Sequence, residues 1–178
     1  MNLIENGNFE SGTTDPWTNM GGGPATGVID THDGRNWMRI PGEENFGIHA
    51  IRYNFPAQQP WNDFFAFHIT TKAVPTGGVP TQSLVRQGEL PCFAKEEEAL
   101  RLSCRIVCWF DVIYADGGGW RTPFNVEVSV HETFMRRVIK VPLTDTPVAG
   151  QIVMANWGGG QWDIADIWIT NLNLQTLD

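Results

Sequence analysis

Two pairs of adjacent residues in the chain set an imidazole beside a carboxylate: His32-Asp33 and His131-Glu132. Neighbours on a strand point to opposite faces, so adjacency alone does not give acid–base geometry. Glycoside hydrolysis needs two carboxyl groups about 5–10 Å apart. Asp111 and Asp116 flank an expected strand end, but with 20 acidic residues some pairs will meet by chance. No G-x-S-x-G, H-E-x-x-H or phosphate-binding loop occurs. Cys104 and Cys108 are four apart, in a segment, LRLSCRIVCWFDVIY, that reads as strand. On a strand that spacing covers about 13 Å, beyond the roughly 7 Å disulfide limit. No His stands at zinc-ligand spacing, so Cys92, Cys104 and Cys108 are expected to be reduced and buried. The chain reads as non-catalytic.

The elements that must position these residues follow from composition. Only 18% of the 178 residues are charged, whereas Gly (19), Pro (11), Trp (8) and Phe (10) are abundant, a mixture that suits short strands joined by turns. Net charge is −8, which argues against nucleic acid as a partner because phosphate binding needs a basic patch. The run Glu96-Glu97-Glu98 reads as a solvated turn or helix start. No segment approaches the roughly 20 apolar residues that span a bilayer, so membrane insertion is not expected. Residues 1–20 lack a basic start and an apolar run, so no secretory signal is read there.

Strands are expected at 2–4, 36–41, 47–55, 64–74, 102–114, 124–132, 136–143, 150–157 and 162–174. Alternation is clear at Val126, Val128 and Val130, whereas IVCWFDVIY is apolar on both parities, as in a strand covered on both faces. Gly/Pro-rich breaks separate them at 21–24, 75–80, 115–119 and 156–161. One short helix is expected at 91–102, Glu-rich in its first turn. Together these describe an all-β fold over residues 1–178, an antiparallel β-sandwich of jelly-roll type, with 75–100 as an irregular insertion.

The stretch NLIENGNFESGTTDPW carries Asn2, Leu3, Ile4, Asn6, Gly7, Phe9, Glu10, Gly12 and Trp17. It resembles the opening of galactose-binding-like jelly rolls of the carbohydrate-binding-module type. QWDIADIWITNL resembles that family's closing strand, FFAFHITTKAV an internal strand, and FDVIYADGGGW its mid-chain strand and turn. The likeness covers most of the chain except about 75–100, and it departs where Ala165 replaces the first Asp of a D-D pair. It implies that the two ends of the chain lie side by side. It also implies a structural calcium held by Glu10 and Asp166, with Asp33 or Asp163 as a further ligand; calcium wants 6–8 oxygens.

Aromatic residues then become candidate binding groups, because a Trp ring can stack on the apolar face of a sugar without charge. Trp61, Trp120, Trp157 and Trp162 stand at expected loop positions, with Asn156, Gln161, Arg121 and Asp116 as polar companions. Burial in a protein interface is the other use of such residues. Trp109 and Trp168 lie inside apolar strands and read as core, and Trp37 and Trp17 as packing residues.

Two functions are expected from this reading. One is a non-catalytic component of a bacteriophage virion, a head decoration or a tail- or fibre-associated subunit, located in the virion and contacting other virion subunits or its own copies, and able to touch surface glycans. The other is a carbohydrate-binding module of an extracellular polysaccharide-degrading system.

Overall fold

The computed structural model describes residues 2–40, 49–56, 62–74, 106–126, 131–142, 144–156 and 161–172. Its strands are β1 (Thr18–Asn19), β2 (Val28–His32), β3 (Arg35–Ile40), β4 (His49–Pro56) and β5 (Phe64–Val74). Then come β6 (Ile106–Tyr114), β7 (Gly119–Val126), β8 (Thr133–Lys140), β9 (Pro147–Asn156) and β10 (Gln161–Leu172). All pairings between them are antiparallel. One sheet, here sheet A, has the order β2-β3-β10-β5-β8; the other, sheet B, has the order β1-β4-β9-β6-β7. The two form a jelly-roll β-sandwich.

The core lies between the sheets because one parity of each strand is apolar. Phe65, Phe67 and Ile69 of β5 and Ile164, Ile167 and Ile169 of β10 meet Cys108, Phe110 and Val112 of β6 and Ile152 and Met154 of β9. Ring pairs cross the gap at Phe65–Phe110 (5.0 Å) and Phe67–Phe124 (5.3 Å). Burial of this much apolar surface is the main stabilising term. Cys108 is one of these buried groups, and burial pushes its thiol well above the ordinary range.

The N-terminal segment ties the two sheets together. Asn2 bridges Thr170, Leu3 N donates to Ile169 O at 2.7 Å, and Ile167 N donates to Gly7 O at 3.0 Å. Across on sheet B, Glu5 N donates to the Tyr53 hydroxyl at 2.9 Å, and Trp17 packs on Tyr53 with ring centroids 5.2 Å apart. Ile4, Phe9 and Trp17 are buried. The Asn6 amide donates to the Thr13 and Asp15 carbonyls at 2.9 and 2.6 Å, which folds the segment between them into a compact loop. The ends of the sandwich therefore meet as the sequence motif implies.

Some expectations shift. The expected strand at 2–4 is instead an isolated bridge at Asn2 followed by a docked segment, Leu3 and Ile4, because the following turn residues send the chain away. β1 and β2 were not expected. β2 is joined to β3 by an Asp33-Gly34 turn with φ of 53° and 77°, the positive values that a tight hairpin requires. β7 begins at Gly119, before the expected 124, and tolerates Pro123 because it is an edge strand. The expected helix at 91–102 and the insertion at 75–100 fall outside the described residues, as do Cys92 and Cys104.

Candidate functional site

The outward parity of sheet B forms a grid that strand register fixes. One row reads Arg52, Val153, Trp109, Pro123; the next reads Asn54, Gln151, Asp111, Arg121; on the other side lie Ala50, Ala155, Val107, Asn125. Phe110 and Val112 of β6 face the core, so Trp109 and Asp111 face away from it. Trp109 is half-buried and packs against the buried side chains of Ala50, Val153 and Ala155.

Asp111 is nearly buried, yet both its oxygens are satisfied. Arg121 Nε donates to Oδ1 and Nη2 to Oδ2, each at 2.7 Å, and Gln151 Nε2 donates to Oδ2 at 2.6 Å. The fork geometry is the strong bidentate form of the Arg–carboxylate pair. The carboxylate holds the Arg121 guanidinium more firmly protonated, chiefly through these hydrogen bonds. Arg121 remains largely solvent-accessible, so its other N–H groups point to water. Arg52, in the Trp109 row, has a buried Nε with no hydrogen-bond partner among the described residues. A buried donor without an acceptor is costly.

Along a strand, two residues advance about 7 Å. An aromatic face therefore lies one short step from a row of pre-oriented amide, guanidinium and carboxylate groups. That combination suits a flat ligand with an apolar face and a hydroxylated rim.

Arg121, expected from sequence as a polar companion, lies in this grid, whereas Trp162, Trp120 and Gln161 do not. Trp162 is on β10 and wholly buried in the core, so it presents no surface to a ligand; the strand begins one residue earlier than its loop position implied. Trp120 is on β7, directly across from core-facing Val112, and is half-buried against the core. Gln161 opens β10 and is half-buried; Asn156 closes β9 and pairs with His49 and Ile106. They belong to different sheets. Trp61 and Trp157 lie outside the described residues. Trp109 and Trp168, expected in the core, are instead on outward faces, Trp168 being 50% exposed. The signal for Trp109 was present in its shared parity with Asp111, since a carboxylate seldom faces a sandwich core unpaired.

Of the carboxylates expected to hold calcium, Asp166, Asp33 and Asp163 each face a cation. Arg35 Nη1 donates to Asp166 Oδ2 at 2.6 Å, Lys72 Nζ to Asp33 Oδ2 at 2.8 Å, and Arg39 makes a fork to Asp163 at 2.9 and 3.0 Å. His32 lies between Asp163 (2.9 Å) and Asp33 (3.1 Å) and stacks on Trp37 at 5.4 Å. Glu10 is exposed. Among the described residues no group of three His, Cys, Asp or Glu is gathered for a metal. Calcium needs several free oxygens, and these oxygens already hold ammonium or guanidinium groups, so the arrangement is a poor fit. The Asp33–His32 contact also departs from the sequence expectation: Asp33 belongs to the turn, which lets both side chains join one cluster.

No family model and no curated protein sequence matches the chain. Solved structures do match. A family 16 carbohydrate-binding module superposes with a TM-score of 0.59 at 14% identity, over 95% of this chain and 99% of that one. The shared fold is the carbohydrate-binding-module jelly roll. TmCBM61, solved with β-1,4-galactotriose, has a TM-score of 0.54 at 9% identity over 97% of this chain and 99% of its own. The enzymatically active domain of tailspike protein 4 of bacteriophage CBA120 has a TM-score of 0.62 at 12% identity. That match takes in 96% of this chain, which spans 21% of the tailspike chain.

Proposed function

We propose that this chain is a non-catalytic glycan-binding β-sandwich whose binding surface is the outward face of sheet B. The observation that carries this reading is Trp109: an outward-facing, half-buried ring packed on Ala50, Val153 and Ala155, beside the locked Asp111–Arg121–Gln151 row. The Trp face takes the apolar side of a pyranose, and Asn54, Gln151 and Arg121 meet its hydroxyls. The similarity to carbohydrate-binding modules supports the same reading.

The setting we propose is a bacteriophage particle, in which the chain works as a decoration, tail or fibre-associated component that contacts surface glycans. The tailspike likeness supports it. The alternative setting, a module of a polysaccharide-degrading system, is supported by the likeness to a module solved together with a family 10 xylanase, which has a TM-score of 0.56 at 11% identity.

A glycan array followed by calorimetry tests the binding surface. The parent protein should bind at least one neutral oligosaccharide, Trp109→Ala should weaken it about tenfold or more, and Trp109→Phe should retain part of it. Absence of any glycan signal from the parent, or equal binding by Trp109→Ala, would sink the reading. Co-purification with particles from an infected culture, or with a glycoside hydrolase, separates the two settings.

A further inference from the structure

We propose that the outward face of sheet A carries a second saccharide site, one for an acidic sugar chain laid along β5, with Trp168 as its stacking platform and Arg136 as the partner of its anionic groups. Register places Trp168 of β10, His68 of β5 and Arg136 of β8 in one row. Neighbouring strands are about 4.8 Å apart, so the row spans about 10 Å. Adjacent rows hold Thr170, Ala66, Val138 and Ala165, Thr70, Phe134. Ala66, Ala165 and Thr70 are buried beneath taller neighbours, whereas Trp168, Phe134 and Val138 are 50%, 61% and 53% exposed. The result is a trough with β5 as its floor, Trp168 as one wall and β8 as the other.

Charge selects the occupant. The chain has 12 basic and 20 acidic residues, yet the β8 segment TFMRRVIK holds Arg136, Arg137 and Lys140 and no carboxylate. Elsewhere on this face Arg35, Arg39 and Lys72 are each paired with Asp side chains. Lys140 lies over the Phe64 ring and Arg137 over Phe124. Among the described residues no carboxylate pairs with Arg136. Its guanidinium fork suits a carboxylate or sulfate, and Trp168 suits the ring that bears it. His68 is held toward its neutral form by burial first and by Arg136 second, so it adds a hydrogen-bonding group without further charge.

A second copy of the chain fits less well. Three side chains at about half exposure offer at most a few hundred Å², against about 800 Å² per partner in a stable interface. A two-fold contact through this face would also set the cations of both copies against each other.

This site is separate from the Trp109 surface and does not depend on it. The test is affinity electrophoresis of the full chain through gels containing polygalacturonate or, as a neutral control, galactan. Polygalacturonate should retard the parent, and salt should weaken the retardation as the ion pair is screened. Trp168→Ala and Arg136→Gln should each raise the apparent Kd about tenfold, while Trp109→Ala leaves it unchanged. Both substitutions are on exposed side chains, and circular dichroism checks that each variant is folded; Trp168→Tyr should keep part of the affinity. No retardation of the parent, loss through Trp109→Ala in place of Trp168→Ala, or a concentration-dependent dimer abolished by Trp168→Ala would overturn the proposal.

Discussion

Ile167 N donates to Gly7 O at 3.0 Å, and a Cβ built on Gly7 would fall 2.0 Å from the Ile167 carbonyl oxygen. The chain's beginning and its last strand thus touch backbone to backbone, with no room for even a methyl group. Gly7 in the opening motif is a packing requirement of the joined ends.

Gly7→Ala should therefore destabilise the fold by about 3 kcal/mol, the upper end of overpacking costs. For a chain of this size the midpoint of thermal unfolding should fall by about 6–12 °C. Differential scanning calorimetry measures it, and an unchanged midpoint would show that the two segments separate without cost. Gly12→Ala makes a useful contrast: no atom lies within 4 Å of its Cβ position, but its φ of 71° adds backbone strain, so a smaller loss is expected.

Removing Arg121 leaves Asp111 nearly buried with only Gln151 to satisfy it. Arg121→Ala should cost about 1–3 kcal/mol, less than for a fully buried pair because Arg121 itself is mostly in water. Arg121→Lys keeps the charge but loses the fork, and should fall between. Urea unfolding of the three proteins gives the ranking, which would be disproved by Arg121→Ala matching the parent.

His68 should titrate below its ordinary value of about 6.5. A His held below its unfolded value contributes stability above that value and loses it as pH falls through the folded one. Phe134→Ala should move the midpoint upward, because the Phe134 ring stands edge-on to His68 at 5.7 Å and burial is the larger cause of the shift. Arg136→Gln should move it upward by less. Proton NMR of the imidazole resonance reads both.

Chelation should leave stability unchanged, since Asp166, Asp33 and Asp163 already hold Arg35, Lys72 and Arg39. Thermal unfolding with EDTA and with added calcium chloride measures this directly. A rise of several degrees with calcium would revive Glu10 and Asp166 as ligands.

Much of the architecture was legible in the residues. The opening motif and closing strand announced that the ends meet, and Ile4, Phe9 and Trp17 are buried as a motif of packing residues implies. The strands at 64–74 and in the 102–114 segment could be read from apolar runs between Gly-rich turns. β2 escaped notice because Asp30, Thr31 and His32 mask its character, although the Asp33-Gly34 pair marked the hairpin. The candidate site was less legible. Trp162 was read as a loop residue on the strength of the glycines before it, and Trp109 as core because it sits inside IVCWFDVIY, a strand apolar on both parities.

Sequence alone determined the class of fold, the joining of the ends and the outward turn of charge, because alternation, turn residues and close glycine contacts are local rules. Only the tertiary structure decided which tryptophans meet solvent. In a sandwich strand both parities can be apolar, and the choice of inner face is settled by the strand's partners across the sheet and across the core. Phe65 against Phe110 commits one parity of β6 inward at 5.0 Å, and Trp109, one residue away, is thereby turned outward.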